Sequence, residues 1–244
     1  MIRSVDELSE ANLLLESVAR TLGQHFRDRE PKELFSQLLD DLLRLTSSEF
    51  GYIAEVQLDD QHAPYLRTWA ITDISWNQET RDLYRQYALL GGGLEFRNLD
   101  TLFGWGLREG GRLVIANSPE RDPRCSGRPA GHPPLASFAA IPVLRGPDLV
   151  GQIAVANRPG GYDEVLVHRL GPFTSAVGNL IDAYRVDSER QAAEAAVAGS
   201  RQRLAAIVNN LTDIVTILAG DGSFLYASPA GERLLGYPAG QLPA

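Results

Sequence analysis

Four side chains suited to holding a polar small molecule fall in two short segments of this 244-residue chain. Arg124 and His132 lie in the Pro- and Gly-dense stretch from Asp122 to Leu135, and Asn157 and Arg158 open the turn Asn157-Arg158-Pro159-Gly160-Gly161-Tyr162. Arginine presents a planar fork of donors and asparagine both donates and accepts, so the four together would hold an anionic or carbonyl-bearing molecule. A structural use of the same residues is the other reading. Asp122 can pair with Arg124 or Arg158 while His132 and Asn157 bond loop backbone, folding the stretch into a lid. Trp69, Phe103 and Trp105 are candidates for an aromatic wall around such a site, or for plain core.

Other chemistries are poorly supplied. The lone cysteine, Cys125, sits among Arg121, Arg124 and Arg128, whose charges favour a thiolate where their heads gather round it. One cysteine excludes an internal disulfide and a multi-cysteine zinc site. His132 is a candidate axial ligand for a haem iron, although its Gly131 and Pro133 neighbours give no particular support. Gly92-Gly93-Leu94-Glu95-Phe96 resembles the nucleotide-cyclising signature G-G-[DE]-E-F, but Leu94 occupies the acidic place that metal chemistry needs. No P-loop, zinc-protease helix or nucleophile elbow is present, so the expectation is a non-enzymatic segment with its cofactor unknown.

Composition narrows the partners. A formal net charge of -8, with 23 Lys and Arg residues spread along the chain, offers no footprint for nucleic acid. No apolar run reaches the ~18–20 residues that span a bilayer, and Met1-Ile2-Arg3-Ser4-Val5-Asp6 leads into a charged helix rather than a signal peptide. The expectation is a cytoplasmic protein without a membrane span.

The elements that must position these residues follow from periodicity. Leu8, Ala11, Leu15, Val18 and Leu22 form a narrow helical row suited to a helix–helix seam, whereas Leu34, Leu38, Leu39, Leu42, Leu43 and Leu45 give a face broad enough for a sheet. Strands are expected at 50–58 and 65–71, with a polar turn between them, then a helix from 76 or 77 to 89. A short extended piece at 94–96 precedes a helix capped by Asn98, carrying Leu99, Leu102, Phe103 and Leu107 and ending at Gly110-Gly111. A strand at 112–116 enters the long loop, and 137–144 and 149–156 read as a second hairpin. Asp163 caps a helix whose Leu166, Leu170, Phe173, Val177, Leu180 and Tyr184 again alternate in steps of four and three, as in a seam. A weaker helical pattern continues to 211. The chain then changes to a short strand at 214–218, the turn Asp221-Gly222 and a returning strand at 224–226.

The segment Leu99-Asp100-Thr101-Leu102-Phe103-Gly104 resembles a bacterial subgroup of GAF domains, as do Asp122, Pro123, Arg124, Gly131, His132, Pro133 and Pro134. Asn157, Arg158, Gly160, Gly161 and Tyr162 carry the same resemblance. It implies an α+β fold over 31–184: a twisted antiparallel sheet with helices on both sides, flanked by long amino- and carboxy-terminal helices, and a ligand pocket between sheet and loops. The stretch 212–244 resembles the opening of a PAS domain, with 1–30 a dimerisation helix and 185–211 a signalling linker. Cys125 is followed by Ser126 rather than the His usual at bilin attachment sites, and the free methionine sulfoxide reductases of this fold cycle through several cysteines.

The resemblance implies a sensory module ahead of PAS and an output domain of the histidine kinase or diguanylate cyclase type. It would bind a small molecule near Trp69, Phe103, Asp122, Arg124, His132, Asn157 and Arg158. A parallel homodimer would align Leu8, Leu15, Val18 and Leu22 with their counterparts, and likewise Leu170, Val177 and Tyr184. The alternatives are a ligand-free dimerisation scaffold and a haem or redox sensor.

Overall fold

The computed structural model describes residues 30–73, 78, 81–82, 93–124, 134–210, 213–230 and 234. The expected helix at 1–30, apart from Glu30, and the one at 76–89, apart from Gln78, Arg81 and Asp82, lie outside the described residues, as do Cys125 and His132. Contacts divide the chain between Tyr184 and Arg185, and each part is taken by itself.

In the first part, helix α1 (Pro31–Thr46) starts on a proline, whose missing N–H costs nothing in a first turn, and stops at Ser47 in the left-handed conformation. Strands β1 (Phe50–Leu58) and β2 (Pro64–Ile71) form the expected hairpin, and β3 (Glu95–Phe96) pairs with β2. Helix α2 (Leu102–Arg108) begins later than expected. Thr101, extended at its φ and ψ, is the cap, its hydroxyl accepting from Gly104 N at 3.1 Å, while the Asn98 side chain accepts from Asp100 N one turn earlier. Strand β4 (Val114–Ala116) and a 3₁₀ turn (Pro119–Arg121) lead to the hairpin of β5 (Phe138–Arg145) and β6 (Asp148–Ala156).

The six strands form one antiparallel sheet in the order β3-β2-β1-β6-β5-β4. Register separates its two faces. Ile53, Ile153 and Ile141 lie opposite one another across β1, β6 and β5, and face α1 with Phe35, Leu38 and Leu42. Tyr52, Ala154 and Ala140 form the neighbouring row and point to the other side, with Leu102 and Leu107 of α2. Both faces are covered, as strands rich in apolar residues at odd and even positions require.

The helix-bearing face corrects the seam expected from Leu166 to Tyr184. The segment breaks at Leu170 into α3 (Glu164–Arg169), capped by Asp163, and α4 (Gly171–Asn210). Leu170, Phe173, Val177, Leu180 and Ile181 are buried in this chain's own core against α1 and the sheet, so Leu170 and Val177 cannot line a subunit seam. Steps of four and three mark a helix with one apolar side but do not say whether a sheet or a second helix covers it. Burying each large side chain contributes roughly 1.5–3 kcal/mol.

In the second part, the remainder of α4 is followed by the hairpin of β7 (Thr216–Leu218) and β8 (Phe224–Ala227), which turns through Gly222 at a φ of 89°.

Candidate functional site

On the sheet face beneath α2, the central strands present small residues, Ala54, Ala140, Ala154 and Ala156, all buried. Around this alanine floor stand Tyr52, Phe96 and Phe103, with ring centroids 5.5–6.4 Å apart and the Tyr52 and Phe103 planes crossing at 87°. A polar chain runs through them. Tyr52 donates its hydroxyl to Gln152 Oε1 at 2.6 Å, and Gln152 Nε2 donates to the Phe103 carbonyl at 3.0 Å. Gln152 is buried in mid-strand on β6 and so fixes α2 over the sheet through one backbone oxygen. Burial pushes the Tyr52 hydroxyl well above the usual phenol range, so it stays protonated and donates.

At the rim of this face, the Arg124 guanidinium donates to both Asp122 oxygens, Nε to Oδ1 at 2.8 Å and Nη2 to Oδ2 at 2.7 Å. Asp122 Oδ1 also accepts from Arg124 N at 2.9 Å. Arg124 Nη2 reaches the Ile115 carbonyl at 3.0 Å as well, and the guanidinium lies 5.1 Å over the Trp105 ring. The bonded arginine holds the Asp122 carboxyl below the usual carboxylate range, and the same bonds raise Arg124. The pair thus ties the entrance of the long loop to β4 and α2.

The turn after β6 ties different elements together. Asn157, at a φ of 60°, donates to Glu49 Oε2 at 2.8 Å and accepts from Ala136 N at 2.9 Å. Arg158 Nη1 donates to the Gly161 carbonyl at 2.9 Å, and its Nε is buried with no hydrogen-bond partner among the described residues. Asn117 exchanges two bonds with the Tyr162 backbone, and the Tyr162 hydroxyl meets Ser48 Oγ at 2.7 Å. The turn therefore joins the ends of α1, β4 and β6 and the start of β5.

Of the described residues singled out from sequence, Phe103 joins the aromatic cluster; Asp122 and Arg124 bond each other at its rim, and Asn157 and Arg158 serve the turn. Trp69 lies on the opposite face, stacked on Phe35 at 4.8 Å and 5.7 Å from Tyr184. A register shift is the reason: Ile53 pairs with Ala70 and Ala54 with Thr68, so Trp69 is passed over and turns to the helix side. Tyr52, Phe96 and Gln152 were not singled out. Gln152 had a signal, a polar residue in step with Ala154 and Ala156 in the run Val150-Gly151-Gln152-Ile153-Ala154-Val155-Ala156.

The sequence profile described as GAF domain matches residues 28–182, more than half of the chain. The chain belongs to the GAF domain family. A second profile, PAS fold, matches residues 202–243. Both are regulatory domains. Solved structures share the GAF fold at low identity. The GAF domain of a phosphoenolpyruvate-protein phosphotransferase from Coxiella burnetii is 13% identical, covers 73% of this chain and 98% of its own, and superposes with a TM-score of 0.55. The corresponding Acinetobacter domain is 15% identical over 72% of this chain and 97% of its own, with a TM-score of 0.51. Free methionine-R-sulfoxide reductase from Neisseria meningitidis, solved with its substrate, is 10% identical over 75% and 93%, with a TM-score of 0.53. At these identities the likeness is one of fold. No curated protein matches the chain.

Among the described residues of the GAF domain and the part that follows it, no cluster of three or more His, Cys, Asp or Glu side chains could hold a metal ion. No described helix is long and apolar enough to cross a membrane.

Proposed function

We propose that this GAF domain is a sensory module of a cytoplasmic bacterial signalling protein. It binds a small molecule between the alanine floor and α2, and passes the change through dimeric helices to the PAS segment and an output domain. The observation that carries this reading is the Tyr52–Gln152–Phe103 chain: a buried amide beneath an aromatic cluster holds α2 by a single backbone carbonyl. A ligand carbonyl competing for Gln152 Nε2 would release that hold, and the ligand's differential affinity for the two positions of α2 sets how far the equilibrium moves. Arg124 is neutralised by Asp122, so a neutral, flat ligand suits the face better than the anion suggested by its arginines.

Native mass spectrometry of the purified chain tests this. A discrete retained mass is expected, and Ala154→Phe, which fills the floor, should abolish it while the protein stays folded by circular dichroism. Retention by Ala154→Phe would place the ligand elsewhere. The competing reading, a ligand-free scaffold, is favoured by the structural use of Asn157 and Arg158. It predicts bare chain mass in both proteins.

A further inference from the structure

The run Gly93-Leu94-Glu95-Phe96, in which Leu94 stands where metal chemistry needs an acid, is bound to β2 at an irregular place. Phe96 pairs with Leu66 and Glu95 with Arg67, and the bonds continue one residue further. Thr68 N donates to the Leu94 carbonyl at 2.9 Å, and the Thr68 hydroxyl accepts from Leu94 N at 2.9 Å. Gly93 passes so close that a Cβ there would lie 2.0 Å from the Thr68 carbonyl oxygen, an approach that needs glycine. Buried Thr68 is thus clamped from the β3 side by its backbone, its hydroxyl and a close backbone neighbour.

The next residue, Trp69, is the one that the β1–β2 register passes over. A bulged residue has no partner across the ladder, so its place follows its neighbours in the chain. The Trp69 Nε1 is buried without an acceptor among the described residues, so no side-chain hydrogen bond pins the indole. It rests on rings instead, Phe35 at 4.8 Å and Tyr184 at 5.7 Å, with Phe35 and Tyr184 themselves 5.9 Å apart. Tyr184, on α4, is the last residue of the first compact part. At the other end of the run, Phe96 belongs to the cluster on the opposite face, 5.7 Å from Tyr52 and 5.5 Å from Phe103.

We propose that segment 93–96 is the coupling element of the sensory site: displacing Phe103 shifts Phe96 and Leu94 along β2, which moves Thr68 and reorients Trp69 against Tyr184. The inference rests on the sensory reading above and adds the route by which the cluster reaches α4. A two-residue edge strand suits the task, because so few ladder bonds hold it that it shifts while the central strands stay paired.

Fluorescence and hydrogen exchange of the full chain test it. In a Trp76→Phe, Trp105→Phe background, Trp69 is the one tryptophan left of the three. Phe103→Leu should then change its emission and speed amide exchange at 180–184 several-fold, with exchange along β6 unchanged. Thr68→Val keeps the shape but removes the hydroxyl that accepts from Leu94, and in that chain the response to Phe103→Leu should be several-fold weaker. Emission and exchange that ignore Phe103→Leu, or that respond alike with and without Thr68→Val, would overturn the coupling. So would a speed-up shared by β6, which would mean general loosening. No ligand enters this test: a purified chain of bare mass would defeat the sensory reading, whereas an indifferent Trp69 defeats only the route.

Discussion

Gln152 is the polar centre of the sheet face beneath α2, because both ends of its amide are engaged in a place that water does not reach. Gln152→Leu keeps the volume but strands the Tyr52 hydroxyl and takes the side-chain donor from the Phe103 carbonyl, which keeps only its bond within α2; stability should fall by about 1–3 kcal/mol. Tyr52→Phe in the same chain removes one stranded group. The double variant should therefore lose less than the sum of the singles in denaturant titration, and additive losses would show that the two side chains act independently. Asp122 gives a second prediction, one that depends on pH. Its folded carboxyl is held below its ordinary value by the Arg124 bonds, so its contribution is present above the ordinary carboxylate range and is lost as pH falls through the depressed folded value. Asp122→Asn should cost about 1–2 kcal/mol at neutral pH, with the difference from the unaltered chain shrinking toward zero in acid. A difference that persists unchanged in acid would mean the pair contributes through packing instead of charge.

Among the elements, the turn 157–161 makes the sharpest claim. Gly160 and Gly161 both have positive φ, 83° and 78°, yet a Cβ on Gly160 meets open space, whereas one on Gly161 would lie 2.5 Å from Asn117 Oδ1. Gly160→Ala should cost about 1–2 kcal/mol for backbone strain alone, and Gly161→Ala clearly more, because it also breaks the bonds between Asn117 and Tyr162. Equal melting temperatures for the two variants would remove Asn117 from the account. The contrast also shows what was legible in the sequence. The broad leucine face of α1, both hairpins and the glycine turn are local patterns, and they appear where periodicity puts them. The side to which Trp69 points was not legible, since it depends on which residue of β2 is left unpaired against β1. Nor was the cover over Leu170 and Val177, because helix period is blind to what lies across it. Of the face beneath α2, the aromatic ring of Phe103 and the pairing of Asp122 with Arg124 were legible as local features; Tyr52 and Gln152 meet only through the β1–β6 pairing, 100 residues apart.

At the scale of the molecule, α4 is, among the described residues, a continuous element that belongs to the GAF core and extends past it, with Phe173, Val177, Leu180 and Ile181 buried and most residues from Val186 onward exposed. Signal transfer by such a rod requires that the core hold one end firmly and that the rod stay unbroken. Ser188→Pro tests the two requirements separately. Proline there removes one helical hydrogen bond and clashes with the preceding turn, at a cost of about 3 kcal/mol, one turn beyond Tyr184. The first compact part closes at Tyr184, so its unfolding, followed by the fluorescence of the three tryptophans, all at positions before 184, should shift by no more than about 1 kcal/mol. Helical signal in circular dichroism should fall, since the helix beyond Ser188 would no longer continue straight from the core. A first part that loses several kcal/mol would instead show that the distal helix supports the sensory core, and the rod would then be a member of that core and no mere conductor.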